Sequence, residues 1–222
     1  MNRDALLEIA GSRVLLLADK ALYWPEKELL CIADVHFGKA AAYRALGQPV
    51  PHGTTLANLQ RIDRLLVHYR TTRLVFLGDF LHSAKARAAL TLEAVRAWRL
   101  RHAAVACVLI RGNHDRRAGD PPGEMNIQVV DEPLLLGPFA LRHTPVAQQG
   151  HHVIAGHSHP VFHLQGRGRQ SLRLPCFHSS DALTVLPSFG DFTGGHAIEP
   201  RLGRRIFVCD GSSVWPLPSP PS

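Results

Sequence analysis

The sequence has no apolar run long enough to cross a membrane. Among its 222 residues the longest apolar stretch, at 103–110, stops at Arg111, far short of the ~18 residues that a membrane-spanning helix needs. The N-terminal segment carries Arg3, Asp4 and Glu8, where a secretory signal would have an unbroken apolar core. We therefore expect a soluble, cytoplasmic protein without a membrane partner.

Cysteine and lysine are both scarce. The 4 cysteines are far apart in apolar, strand-like runs, which suits neither a zinc ribbon nor a disulfide framework. We expect them to be reduced core residues: Cys31, Cys107, Cys176 and Cys209. Lysine supplies only 4 of 25 basic residues, and the net charge is +7. This charge favours anionic partners such as nucleic acid or phosphorylated metabolites, although an arginine-rich composition can equally reflect codon usage.

The length and the apolar fraction predict one compact domain. A chain of 222 residues with 45% hydrophobic content is long enough for one well-packed core but short for two. We assign this domain to residues 1–214. The segment 215–222 is rich in proline and serine and has too little to bury, so we expect it to be disordered.

Apolar periodicity divides the chain into two halves. In the first half, strands are predicted at 13–18, 21–24, 29–33, 73–77 and 105–110. Helices are predicted from Thr54 or Thr55 to Tyr69 and at 90–101. The second half has no helical pattern, and its strand candidates are 129–130, 134–136, 139–142, 153–155, 161–164, 172–177, 183–186 and 205–209. The pattern predicts an α/β layout with a partly parallel sheet, and a second, mostly antiparallel sheet packed on it.

Five of these apolar runs end in residues that bind metals. In chain order these residues are Asp34, His36, Asp79, Asn113, His114, Asp115, His143, His157 and His159. The carboxyl ends of strands in α/β sheets line one crevice, so we expect these side chains to converge. In the pieces D-x-H and H-x-H an extended backbone would point both side chains to one side. Gly78, Gly112 and Gly156 would allow sharp turns beside them.

The mixture of oxygen and nitrogen donors indicates borderline divalent metals. Such a set suits Mn, Fe, Zn, Co or Ni better than Ca. Seven protein ligands are too many for one metal that also binds substrate, whereas two metals ~3.5–4 Å apart can share a bridging carboxylate. The site would then carry a charge of about +2, or about +1 with a bridging hydroxide, which suits a phosphate. Each piece alone occurs often by chance, but the ordered series does not.

From residue 29 to residue 210 the sequence resembles the calcineurin-like metallophosphoesterases, which have two β-sheets flanked by helices and a dinuclear metal site. The resemblance implies that the first metal is held by Asp34, His36 and His159, that Asp79 bridges, and that the second metal is held by Asn113, His143 and His157. It places His114 near the leaving-group oxygen. Asp115 would either orient His114 or stabilise the loop. Because Thr144 follows His143 where the family often has glycine, His151 or His152 could take its place.

Longer pieces narrow the resemblance to one subgroup. The segments 33–39, 77–83, 111–117, 174–177 and 189–195 are most similar to the small bacterial ligase-associated DNA-damage-response endonucleases. This resemblance implies a metal-dependent phosphodiesterase, with Mn the preferred ion, that cuts single-stranded DNA and works beside a DNA ligase and a helicase. The segments 174–177 and 189–195 have no metal role that the residues reveal; each is either a structural turn or a substrate contact.

These features predict hydrolysis of a phosphodiester by in-line attack of a hydroxide that bridges two metals, with His114 assisting the leaving group. The arginines beside His114, which are Arg111, Arg116 and Arg117, would either bind the phosphate chain of nucleic acid or pair with acidic residues. Two alternatives stay open. A small-molecule phosphoesterase acting on a nucleotide or cyclic nucleotide would use the same metals without a DNA-binding surface, and a non-catalytic scaffold could keep the fold.

Overall fold

The computed structural model describes residues 4–50, 53–166, 168, 170–191 and 193–218. Its first sheet runs in chain order, with the first four strands antiparallel and the last four parallel, β4 being shared. These strands are β1 Ala5–Ile9, β2 Ser12–Leu17, β3 Ala21–Trp24, β4 Leu29–Ile32, β5 Arg73–Phe76, β6 Ala106–Ile110 and β7 Ile127–Val130. The parallel part is the portion that the alternation of strands and helices predicts.

The second sheet is mixed, with antiparallel pairs in the majority. Its strands are β8 Leu134–Leu136, β9 Phe139–Leu141, β10 His152–Ala155, β11 Pro160–Gln165, β12 Ser171–Ser179, β13 Leu183–Val185, β14 His196–Ala197, β15 Arg205–Cys209 and β16 Val214–Pro216. They follow the order β14-β11-β12-β13-β10-β9-β8, with β15 on β12 and β16 on β15. The pairs β9–β10, β10–β13 and β11–β14 are parallel.

The α-helices of the described residues all lie between β4 and β7 in the chain. They are α1 Lys39–Arg44, α2 Thr54–His68, α3 Ala89–Arg101 and α4 Asp115–Ala118. Short 3-10 turns cover Pro25–Lys27, Ala84–Arg87 and Gly123–Met125. Among all the residues that the structure describes, no helix is both long enough and apolar enough to cross a membrane.

The first sheet is buried on both faces because each face packs into a separate hydrophobic cluster. Residues alternating along β4 divide between the two, so that Leu30 and Ile32 pack with α2 and α3 while Leu29 and Cys31 pack with the second sheet. This explains why β4, β5 and β6 read as nearly continuous apolar runs. The molecule thus has a helical layer, the first sheet and the second sheet, as the resemblance implies.

Two sequence predictions need correction, and some short elements were not predicted. The strand at 129–130 belongs to the first sheet, where β7 pairs parallel with β6. The periodicity did not identify β1, α1, α4 or β14. At the C-terminus, Trp215 and Pro216 were assigned to a disordered tail but form β16, and the N–H of Leu217 donates to the carbonyl of Ile206 at 2.8 Å. Residues 219–222 lie outside the described residues. The four cysteines are free and buried, as predicted.

Candidate metal centre

The predicted metal ligands converge between the two sheets. The first sheet contributes residues that follow β4, β5 and β6, and the second sheet contributes residues that follow β9 and β10. Three overlapping groups of side chains have donor atoms within 4.8 Å of one another: Asp34, His36 and His159; Asp34, Asp79 and His143; and His36, His82 and His114. Residues that are far apart in the sequence therefore form one cluster.

The first cluster consists of Asp34, His36 and His159. Oδ1 of Asp34 is 3.5 Å from Nε2 of His159. Asp34 and His36 are buried, and within the described residues neither that Oδ1, nor either nitrogen of His36, nor Nε2 of His159 has a hydrogen-bond partner. Buried polar atoms are normally paired. Four such atoms in one place are what a site built for a cation would contain.

The second cluster surrounds His143. Its Nδ1 donates to the carbonyl of Leu77 at 3.0 Å, which leaves the lone pair on Nε2. That nitrogen is 2.9 Å from Oδ1 of Asn113, 2.9 Å from Nδ1 of His157 and 3.5 Å from Oδ1 of Asp79. Atoms that carry lone pairs face one another here, and a divalent cation among them would satisfy them all.

Of the three histidines considered for this position, His143 is the one in the cluster. The ring of His151 contacts the carbonyl of Gln149. His152 bonds through its two nitrogens to the carbonyl of Asp181 and the hydroxyl of Thr184. Neither alternative belongs to a group of candidate metal ligands in the described residues.

Asp79 lies between the two clusters. Its Oδ2 is 3.7 Å from Nε2 of His36, and its Oδ1 is 3.5 Å from Nε2 of His143. The backbone N–H of His114 donates to Oδ1 at 3.0 Å. One carboxylate oxygen thus faces each cluster, and this is the arrangement that a bridging ligand requires.

The backbone at the cluster differs from the extended form that we predicted. The φ angles of the residues in question lie in the left-handed region: Asp34 53°, His36 47°, Asp79 52°, His157 72° and His159 48°. Such conformations cost free energy in residues other than glycine and concentrate at functional sites. The side chains therefore converge through turns, not through strand alternation.

Glycine is required where the two sheets meet. Gly78 has a φ of 80°, and a Cβ there would lie 2.2 Å from Nδ1 of His143. Gly112 and Gly156 are needed for space, because a Cβ would lie 2.3 Å from Oδ1 of Asp79 and 2.6 Å from Cβ of Ala33, respectively. The three glycines thus let the ligands approach closely, and only Gly78 of the three adopts a positive φ.

His114 packs against a histidine that the sequence analysis did not select. The rings of His82 and His114 stack with centroids 5.3 Å apart at an interplanar angle of 22°. Nδ1 of His114 donates to the carbonyl of His82 at 2.6 Å, and its Nε2 is 3.9 Å from Oδ2 of Asp79. His82 ends the piece Leu77–His82 that carries the resemblance, and this position was the only signal that could have identified it.

Asp115 does not contact the ring of His114. Its Oδ1 accepts the N–H groups of Phe80 and Leu81 at 2.9 and 3.2 Å, and its Oδ2 accepts that of Gly112 at 3.0 Å. Burial raises the pKa of this carboxyl to about 6, although the three backbone donors favour its ionised form. Of the two roles predicted for Asp115, orienting His114 as part of the catalytic pair is corrected and stabilising the loop fits: Asp115 joins the loops after β5 and β6, and the carbonyl of His82 contacts His114.

Two of the three predicted substrate-binding arginines are paired with acidic residues. Arg111 donates to both carboxylate oxygens of Asp120 at 2.8 Å and is 3.2 Å from Asp131. Arg116 is also 3.2 Å from Asp131. The exposed guanidinium of Arg117 has no ion pair with the described residues. The structural alternative is correct for Arg111 and Arg116, which leaves Arg117 for an external anion.

Burial favours the neutral form of three histidines at or beside the cluster: His36, His82 and His157. It lowers the pKa of His36 well below its ordinary range, with the Lys39 ammonium as the next cause. Burial, then Lys39 and His114, lower the pKa of His82 to about 4. The pKa of His157 is lowered by burial and by His143. A neutral imidazole has the free lone pair that a metal needs, so the residues present fit divalent ions.

Glu132, which the sequence analysis did not select, supports the turn that carries His143. Its Oε2 accepts the backbone N–H groups of His143 and Thr144 at 2.8 and 2.9 Å. Burial alone would raise the pKa of this carboxyl, but these donors and Arg142 lower it on balance. A charged acceptor at this place fixes the backbone of a candidate ligand.

Within the segment 189–195, the backbone of Phe189 and Gly190 supports the turn that carries Asp34. The N–H groups of Phe189 and Gly190 donate to the carbonyls of Ala33 and Asp34 at 2.8 and 3.1 Å. A Cβ on Gly190 would lie 2.4 Å from the carbonyl oxygen of Val35. Arg61 stacks on the Phe189 ring at 3.9 Å and donates to the Phe189 carbonyl. These contacts explain the structural turn at 189–191; Phe192 lies outside the described residues.

Comparisons with known proteins agree with this geometry. The sequence model of the calcineurin-like phosphoesterase family matches residues 28–140. The crystal structure of Pseudomonas putida nuclease MPE is similar at 50% identity with a TM-score of 0.86, over 97% of this chain and 100% of that chain. The E. coli phosphoesterase YfcE matches at 18% identity with a TM-score of 0.38, over 82% and 87% of the two chains. A search of curated protein sequences found no match.

The family match is 113 residues long, half of the chain, and it contains Asp34, His36, Asp79 and Asn113. The similarity to the nuclease extends over the remaining donors and agrees with the resemblance to DNA-damage-response endonucleases. The likeness to YfcE is too weak to support a statement about chemistry. The chain therefore belongs to the calcineurin-like phosphoesterase family and is a metal-dependent hydrolase of phosphate esters.

Proposed function

We propose that this chain is a two-metal phosphodiesterase that cuts single-stranded DNA during bacterial DNA repair, and that manganese is its preferred ion. The observation that carries the proposal is the meeting of two groups of donor atoms with one oxygen of Asp79 facing each group. In the first group, buried donor atoms of Asp34 and His36 have no hydrogen-bond partner among the described residues. Fe, Zn, Ni and Co are the other ions that this mixed donor set suits. A DNA substrate in a bacterium implies a cytoplasmic location.

In this proposal Asp34, His36 and His159 would hold one ion, Asn113, His143 and His157 would hold the other, and Asp79 would serve both. Two divalent ions held there would neutralise phosphate oxygens and lower the pKa of a water toward neutrality. The carbonyl of Leu77 fixes His143 with Nε2 toward the centre. The backbone thus orients the imidazole of His143 before any ion binds.

His114 is the proposed acid for the leaving group. Because its Nδ1 donates to the carbonyl of His82, Nε2 is the atom that exchanges a proton with the substrate. As an imidazolium it would give that proton to the departing alkoxide oxygen. The stacked ring of His82 restricts rotation of the imidazole, so Nε2 stays directed toward the space beside Asp79.

The proposed DNA substrate is supported by the relative's name and by charge. The relative at 50% identity is a nuclease, and the chain carries a net charge of +7, which favours a polyanion. A DNA ligase and a helicase of the same repair pathway are the proposed partners. A flexible single strand reaches a metal cleft at lower deformation cost than a stiff duplex.

One observation favours a small-molecule phosphoesterase instead. Arg111 and Arg116 are occupied by Asp120 and Asp131, so two expected contacts with a phosphate chain are not available. A nucleotide or cyclic nucleotide would not need them.

The two functions are separated by a substrate and metal screen. Purified protein stripped of metal is incubated with Mn, Mg, Zn, Ni or Co and with matched single-stranded and duplex oligonucleotides, a cyclic nucleotide and bis-p-nitrophenyl phosphate. We expect Mn-dependent cleavage of the single strand to be fastest. Turnover of the small esters without cleavage of either DNA would replace the nuclease by the small-molecule enzyme.

A further inference from the structure

Lys39 is a buried lysine beside the metal centre. It begins α1, three residues after His36, and is 8% exposed. Its ammonium lies 5.8 Å from the ring centroid of Tyr43 and forms no ion pair with a carboxylate of the described residues. A buried charge without an anionic partner costs free energy. Such a group in a cleft is a candidate for contact with a ligand.

Lys39 lies next to the candidate metal centre. Its backbone N–H donates to the carbonyl of His36 at 3.2 Å, and its ammonium lies over the ring of Tyr43, which contacts the ring of His82. Burial lowers the pKa of Lys39, whereas the carboxylates of Asp34 and Asp79 raise it. Once cations compensate these two carboxylates, they no longer serve as counter-ions for the lysine. The anion that then remains for Lys39 is one that arrives with the substrate.

The rings of His114, His82 and Tyr43 contact one another in turn, and the last of them lies under the ammonium of Lys39. His82 stacks on His114, and its other neighbour is Tyr43, which meets it edge to face with centroids 5.5 Å apart. Lys39 and Tyr43 are four residues apart on α1 and thus lie on one face of the helix. Tyr43 and His82 are both half-buried, so each side chain is partly accessible to solvent. A partly exposed aromatic ring beside a cation is the combination that binds a nucleobase and its phosphate.

We infer that Lys39 and Tyr43 form a nucleotide subsite on the His114 side of the metal centre. Lys39 contacts an oxygen of a substrate phosphate, and Tyr43 stacks on the base of the nucleotide that carries the leaving oxygen. This inference rests on the proposed function, because a small diester without a base would not occupy the subsite.

Binding without cleavage is the first test. Fluorescence anisotropy measures the Kd of a labelled single-stranded oligonucleotide for proteins that also carry Asp79→Asn, which suppresses hydrolysis. We expect Lys39→Met and Tyr43→Leu each to raise Kd by about tenfold, and Lys39→Met also to reduce the salt slope by about 0.7. Tyr43→Phe keeps the ring and should bind like the parent protein.

Lys27→Met is the matched control. Lys27 lies over the ring of Trp24 at 6.0 Å, as Lys39 lies over Tyr43. Lys27 is exposed, however, and it precedes the N-terminal end of β4, whereas the metal centre lies beyond the C-terminal end of that strand. This variant should leave Kd and the salt slope unchanged. Parental Kd values for Lys39→Met and Tyr43→Leu, with circular dichroism melts confirming that they are folded, would overturn the subsite.

Kinetics with otherwise wild-type protein separate this inference from the proposed function. For Tyr43→Leu the loss in kcat/KM on an oligonucleotide should be at least about ten times the loss on bis-p-nitrophenyl phosphate. Equal losses on both substrates would assign Tyr43 a structural role and overturn the subsite, while the nuclease function stands. If wild-type protein hydrolyses the small diester and no DNA, the proposed function fails and the subsite fails with it.

Discussion

The two sheets contribute different chemistry to one centre. The first sheet supplies both aspartates, the asparagine and His36 after parallel strands, whereas the second sheet supplies three histidines from turns after β9 and β10. The first set follows apolar runs that alternate with helices, which periodicity detects. The second set lies among several histidines with similar neighbours. The comparison teaches that residue type after a parallel strand identifies the oxygen donors, while contacts are needed to distinguish the second-sheet imidazoles.

The largest expected effect comes from the residue that faces both clusters. Asp79→Asn removes the charge while keeping the shape, and because Asp79 would contact both ions we expect hydrolysis to fall below detection. The loss should exceed the roughly 10–100-fold loss that follows mutation of a residue that hydrogen-bonds to a metal ligand. Steady-state assays and metal analysis of the purified variant provide the measurement. A variant with near-normal turnover and full metal content would remove Asp79 from the bridging position.

The next effect concerns a first-sheet residue that lies beside the ions without holding them. His114→Ala should lower kcat on a diester with a poor alkoxide leaving group by roughly 10²–10⁴-fold, the usual contribution of a general acid. Metal content should remain that of the wild type, and an activated aryl ester should suffer less. Loss of a metal ion from this variant would instead make His114 a ligand.

On the second sheet the corresponding test is Glu132→Ala. Removing the acceptor leaves the N–H groups of His143 and Thr144 without their partner, so we expect Mn affinity to fall by about 10–100-fold. Calorimetric titration with Mn measures it, and Glu132→Gln should recover part of the loss. The control is Glu124→Ala, since Glu124 is an exposed partner of Arg96. Equal Mn affinities for the two alanine variants would show that the turn at His143 and Thr144 keeps its conformation without Glu132.

The smallest expected effect is a difference between Arg116 and Arg117, two neighbouring residues of α4. Arg117→Ala should reduce the salt slope of single-strand binding by about 0.7, the value for one phosphate contact. Arg116→Ala should change it less, because Arg116 pairs with Asp131. Binding measured at several salt concentrations gives both slopes. A larger change for Arg116 than for Arg117 would mean that DNA displaces Asp131.

Periodicity predicted the buried parallel strands and the two longer helices, each of which has one buried face. The parallel strands β4, β5 and β6 and the helices α2 and α3 lie within one or two residues of their predicted bounds. The fold class followed from their alternation. The strand β7 was assigned to the wrong sheet. A short strand can pair with any strand of suitable pattern, and the residue pattern alone does not show which strand it pairs with.

The site shows a similar limit. The candidate ligands that converge in the structure followed from residue type at strand ends, but the roles of supporting residues did not. Asp115 and Arg111 sit beside His114 in the sequence, yet their partners come from loops elsewhere in the chain. His82 and Glu132 act through a backbone carbonyl and backbone N–H groups. Such contacts depend on the three-dimensional path of a turn, which residue identity does not specify.

The cluster around His143 joins donors from opposite sheets, namely Asn113 and Asp79 from one and His157 from the other. A cation bound there acts as a cross-link that only the folded chain can form. By thermodynamic linkage, free metal at 100 times its Kd adds about 2.7 kcal/mol to the free energy of unfolding. The melting temperature of this chain therefore reports the concentration of free metal. A cell short of that metal would hold a less stable protein as well as a less active one.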